Sequence, residues 1–167
     1  MAIVKVNYAK NAGSAKASIR YMQHRPGGEG EKITRSLFGS DGLMGRYEAY
    51  RMIDEAEKGS RIFRIVINPD MKTEDPKRDL NLREVLQTTI QELSQQLHQD
   101  IAWVGVVHAD HKPHRHIHAI AIANERLLPV VAMRQTATQV CLEQRHERDL
   151  AREQQEQRKE AQWERER

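Results

Sequence analysis

Apolar and polar residues alternate over positions 2–8, the period-two pattern of a strand with one buried face. A turn through Asn11 and Gly13 follows. Ala15, Ser18, Ile19 and Met22 then fall at one-face helical spacing and predict a short helix over 14–24. The run Arg25-Pro26-Gly27-Gly28-Glu29-Gly30 ends it, since proline cannot continue a helix. Positions 32–38 suggest a short extended segment. Over 41–58 the pattern is helical again, with Leu43, Tyr47, Tyr50 and Ile53 on one stripe, which gives both tyrosines a packing role. The run RIFRIVIN over 61–68 is a strand closed by Pro69-Asp70.

Asn81, with Glu84 three residues on, is a helix cap, and Leu82, Leu86, Ile90, Leu93 and Leu97 form a stripe that belongs against a sheet. Positions 101–108 and 116–123 read as strands of an antiparallel hairpin, turning around His111-Lys112-Pro113. After Arg126 an apolar stretch leads into a final helix in which Ala137, Val140 and Cys141 can pack. Of residues 143–167, 21 of 25 are Asp, Glu, Arg, Lys, His or Gln, so that part is expected to be solvated or to face a partner. The chain therefore divides into a domain over 1–142 and a charged helical extension or linker over 143–167. The order βα(β)αβαββα predicts an α+β fold, a single mostly antiparallel sheet with helices covering one face.

Composition narrows the classes. No apolar run approaches 18 residues, so no membrane insertion is expected, and the first ten residues lack the pattern of a secretory signal. A lone cysteine, Cys141, excludes an intramolecular disulfide and a cysteine-rich zinc scaffold. A reduced, cytoplasmic protein is the expectation. Net charge is +3, but residues 1–64 carry 12 Lys/Arg against 7 Asp/Glu, so an anionic partner is expected on the N-terminal third.

Histidine is far less evenly spread. Five of eight fall within 108–118: His108, His111, His114, His116 and His118. Alternation on a strand points His116 and His118 the same way, and His108, ending the preceding strand, can reach the same face. Three imidazoles on one sheet face can hold a divalent metal and leave positions open for substrate. His114 is in phase with the other two and stays an alternative third ligand, although three histidines on one strand would span too far for one ion. Asp110 suits a supporting role, either accepting a ring N–H and so fixing a tautomer, or drawing a proton from a nucleophile. The helical His-Glu-x-x-His zinc arrangement is absent.

A His-x-Asp, a few polar residues with a proline, then His116-Ile117-His118 entering an apolar strand resembles the third motif of conjugative and mobilisation relaxases, in the HUH endonuclease superfamily. The resemblance spans roughly residues 1–142. It implies a palm-like fold and an enzyme that nicks single-stranded DNA at an origin of transfer, by tyrosine attack on a phosphate that leaves a 5′-phosphotyrosine. It also implies Mg²⁺ or Mn²⁺ as the working ion, with Zn²⁺, Ni²⁺ or Co²⁺ able to bind the same rings, and relaxosome or coupling proteins as partners. Arg20-Tyr21-Met22-Gln23-His24-Arg25 is similar to the N-terminal tyrosine motif of mobilisation relaxases. Tyr21 lies off the Ala15–Ile19–Met22 stripe and is the expected nucleophile, with Lys16, Arg20 and Arg25 supplying charge to DNA. Tyr8, Tyr47, Tyr50 and His24 are reserves. Aromatics are scarce, so stacking on bases would fall to residues such as Trp103 or Tyr47. An HUH replication initiator or transposase, or a non-enzymatic metal-stabilised nucleic-acid-binding module, is the alternative.

Overall fold

A computed structural model describes residues 1–110 and 114–166. The elements run β1 (Ile3–Ala9), α1 (Ala12–His24), β2 (Leu37–Gly39), β3 (Gly42–Met44), α2 (Arg46–Asp54), β4 (Arg61–Asn68), α3 (Leu82–Leu97), β5 (Ala102–His108), β6 (His116–Ala123) and α4 (Val130–Glu166). The expected turn at His111, Lys112 and Pro113 lies outside the described residues. All pairings are antiparallel, and the six strands are ordered β1-β4-β6-β5-β2-β3. This is an α+β arrangement around one antiparallel sheet.

The expectation of helices on one face is corrected: both faces are covered. Strands β4 and β6 sit inside the sheet, so their alternate residues feed two separate cores. On β6, Ile117, Ala119 and Ala121 join Phe63, Ile65 and Ile67 of β4 beneath α3 and α4. Ile120 and Ile122 join Val104 and Val106 of β5 against Ala15, Ile19 and Met22 of α1 and Ala49 and Ile53 of α2. Ala15, Ile19 and Met22 of α1 and Leu82, Leu86, Ile90 and Leu93 of α3 are buried as their spacing requires, Ser18 and Leu97 are partly buried, and the Asn81 side chain accepts from the Glu84 N–H at 3.2 Å.

The region 41–58 differs from its periodicity. Residues 37–44 form the β2–β3 hairpin, and helix begins only at Arg46. Gly42, at φ +107°, supplies the left-handed turn residue. Leu43 and Tyr47 therefore leave the packing stripe and stand 72% and 74% exposed, while Ile53 is buried. At the other end, α4 is one continuous helix through Leu142. Gln144 and Arg145 are still buried, and Asp79 accepts from both Arg145 and Arg152 at 2.6 Å. Apolar packing stops near 142; ionic packing continues to Arg152. Among the described residues, no helix is long and apolar enough to cross a membrane.

Gly105 of β5 lets the short strand β2 dock, because a Cβ there would meet Leu86 Cδ2 at 2.6 Å and Phe38 Cζ at 2.9 Å. Gly105→Val is expected to cost about 1–3 kcal/mol through overpacking, read by denaturant titration.

Candidate metal centre

The histidine site is a consequence of register. His108 lies directly opposite His116 across the β5–β6 pair, and His118 pairs with Val106 one step further in. Between them, Ile117 points to the other face, as does Arg115, which donates to Asp75 at 3.1 and 3.3 Å and to the Leu80 carbonyl. Arg115 thereby pins the entry of β6 on the face opposite His116 and His118. The rings form a near-equilateral triangle, with centroids 5.1 Å (108–116), 4.6 Å (108–118) and 4.9 Å (116–118) apart. One nitrogen from each lies within 4.8 Å of the others. His114 is exposed, precedes the strand and is not part of this group.

Hydrogen bonding assigns the tautomer of His108. Its Nε2 lies 2.8 Å from the Met22 carbonyl, which can only accept, so Nε2 carries the proton and Nδ1 presents a lone pair. That Nδ1 is buried without a partner, and so is Nε2 of His118. Orphaned buried polar nitrogens are rare and costly, and two of them in one triangle of imidazoles fit a bound cation. The donor set is all-nitrogen and neutral, the chemistry of a divalent transition ion. Burial pushes His108 down to about 4 and, with its two histidine neighbours adding to the effect, His118 down to about 3. Nearby Arg35 and Arg25 act in the same direction. These two rings are thus held in the deprotonated form that a metal requires.

At His108 the ring N–H is taken by the backbone of α1. Asp110 receives a bidentate pair from Arg35, at 2.7 and 3.0 Å. Arg35 in turn donates to the carbonyls of Arg25, at 2.6 Å, and Met22, at 3.4 Å. Met22 O thus serves both His108 and Arg35. A buried guanidinium ties the last turn of α1 to the segment just past β5. Arg35 sits in a stretch without periodicity, and nothing in the sequence flagged it.

Tyr21 projects from the same turn of α1. It is 59% exposed and shares with His118 a cleft of about 490 Å³ between α1 and the sheet, bordered also by Asn7, Ser14, Ser18 and Arg64. Arg20, His24 and Arg25 surround its other side in an adjoining hollow. Lys16 lies apart from that group. Its ammonium is paired with Asp54 at 2.6 Å and stands over the Tyr50 ring. The other tyrosines separate cleanly. Tyr8 packs on Phe63 on the α3–α4 face, its hydroxyl donating to the Arg126 carbonyl. Tyr50 is half-buried between α1 and α2, and Tyr47 is exposed beneath Arg46. His24 lies between Thr34 and Arg46, at 3.4 Å from each. Trp103, expected as a possible stacking surface, is 5% exposed and packs edge-on against Phe38, so no base can reach it. Tyr47 keeps an open face. Arg64 was missed by the sequence reading, although a charged residue between Ile62 and Val66 on one face of an interior strand is a visible signal.

No protein family model, curated protein or solved structure matches the chain.

The depressed histidines set a direction for pH dependence. Unfolded imidazoles titrate near 6.5, so below that the unfolded chain binds more protons than the fold. Stability of metal-free protein is complete above about pH 6.5 and should decline through about pH 4 for His108 and about pH 3 for His118, each ring contributing at most about 1.4 kcal/mol per pH unit. Denaturant titrations in EDTA read the slope. His118→Gln should flatten it, and a wild-type profile level between about pH 7 and 5 would contradict neutral burial.

Proposed function

We propose that this domain is a metal-dependent DNA strand transferase of the relaxase type, which nicks and rejoins single-stranded DNA through Tyr21. The observation that carries this reading is that Tyr21 borders one cleft with His118, whose Nε2 is buried without a partner. His108, His116 and His118 would hold the ion. Of the expected Mg²⁺ and Mn²⁺, Mn²⁺ is the transition ion that suits three imidazoles, and bound there it would supply Lewis-acid stabilisation of charge on a phosphate oxygen.

The chain's own residues account for the remaining steps. Tyr21 Oη forms a bond to phosphorus as the phosphorus–O3′ bond breaks, so one phosphodiester replaces another. The phenolic proton is lost, the leaving 3′ oxygen gains one, and the 5′ end stays on the tyrosine. Little bond free energy is dissipated, which suits rejoining. Arg20 and Arg25, beside Tyr21, meet the strand's negative charge. The α1 turn that carries Tyr21 is held to His108 through Met22 O and to Asp110 through Arg35, so nucleophile and ligands move as one body. Single-stranded substrate is required because the cleft lies between helix and sheet and must admit a bare backbone.

The test is a labelled origin-type single strand incubated with Mn²⁺ and run on a denaturing gel. A covalent adduct is expected from wild type and from Tyr47→Phe, and none from Tyr21→Phe. His116→Ala with His118→Ala should abolish it and remove metal binding by calorimetry. An adduct from Tyr21→Phe would displace Tyr21 as nucleophile; metal binding with no adduct from wild type would leave a metal-stabilised binding module.

A further inference from the structure

We infer that Arg64 is a phosphate-binding residue of the Tyr21 cleft, holding a backbone phosphate next to the one attacked. This deepens the reading above and rests on it for the identity of the strand. Arg64 comes from interior strand β4, paired with Asn7 on one side and Ile120 on the other. It faces α1, and it is a diagonal neighbour of His118, whose own partner is Val66. Diagonal pairs on a sheet lie about 7–8 Å apart, close enough for one strand to engage both residues and too far for a single oxygen.

Its partners define its role. Arg64 Nε donates to Ser18 Oγ at 2.8 Å, one terminal nitrogen to Ser14 Oγ at 2.6 Å, and the other to the Tyr8 carbonyl at 3.0 Å. A longer contact reaches the Ser14 carbonyl at 3.5 Å. Every one of these acceptors is neutral. Among the described residues no carboxylate pairs with Arg64, in contrast to Arg35, Arg115, Arg145 and Arg152. A guanidinium has five N–H groups, so at least one remains for a ligand after these contacts. The result is a full positive charge, half-buried and already oriented, on the wall of the cleft that holds Tyr21. Orientation by hydroxyls and a carbonyl removes the entropy cost of ordering the side chain without neutralising it. Planar, oxygen-rich anions are what such a fork binds best. Lys5, in register with Val66 on the same face, adds charge at the edge.

A role limited to tying α1 to the sheet is the competing account, and salt dependence separates the two. Fluorescence anisotropy of a labelled oligothymidylate in Mg²⁺ is titrated from about 50 to about 200 mM salt. Arg64→Gln is expected to bind several-fold more weakly, with a log–log salt slope shallower by about 0.7, one phosphate contact on a single strand. Arg64→Lys, which keeps the charge and loses the fork, should retain the wild-type slope. An unchanged slope in a folded Arg64→Gln overturns the inference. As a second readout, the Arg64 Nε–H resonance, assigned by its disappearance in Arg64→Lys, should shift when the oligonucleotide is added to wild type; a resonance that stays put overturns it as well. Adduct formation is scored separately. Strand binding without an adduct would remove the nicking reading and leave the Arg64 result standing.

Discussion

One backbone carbonyl, that of Met22, holds the site together. It accepts the Nε2 proton of His108 and a longer contact from Arg35, and in doing so leaves Nδ1 of His108 as the ring's free lone pair. A carbonyl near the end of a helix has no partner within that helix, so it is free to accept from outside. Here the free acceptors of Met22 and Arg25 are used by a histidine and a buried arginine. Because Tyr21 is the residue before Met22, the position of its ring follows from bonds made by its neighbour's main chain. Losing that carbonyl's geometry would disturb ligand tautomer and tyrosine placement together.

The sheet supplies rigidity for this arrangement. The imidazoles stand on β5 and β6, with β4 and β2 completing the pairing on either side, so their backbone is hydrogen-bonded across the sheet. Burial on two faces explains why β6 reads as an unbroken run of Ile and Ala after His118. Small alanines meet the α3–α4 layer and isoleucines meet the α1–α2 layer. The histidines are the polar end of that second layer, where packing thins into the cleft. Their desolvation, and so their neutrality, comes from sitting at this boundary.

Much of this was legible in residue order. The strand alternation of RIFRIVIN, the leucine ladder of α3 and the His116-Ile117-His118 triplet each name an element and a face, and the convergence of His108, His116 and His118 followed from strand geometry. What was not legible has physical causes. A second helical layer was missed because a strand buried on both faces carries no alternation to count. Residues 41–44 looked helical because Leu43 kept the spacing, yet Gly42 turns the chain back on itself there and wins. Arg35 acts through its guanidinium from a coil segment, where no period exists to betray it. Arg64 was visible as an intruder in an apolar strand, but its meaning depends on Ser14 and Ser18, some fifty residues earlier in the chain.

Helix α4 has a mechanical consequence. Its final contacts with the body are ion pairs, Asp79 gripping Arg145 and Arg152 and Lys77 meeting Asp149 at 3.5 Å, while residues 153–166 are solvent-exposed and extend about 20 Å beyond. A rod whose last anchors are these ion pairs inherits its heading from them. Any small shift of Asp79 or Lys77 becomes a wide sweep at the tip, so the anchors govern where anything carried by the rod is delivered.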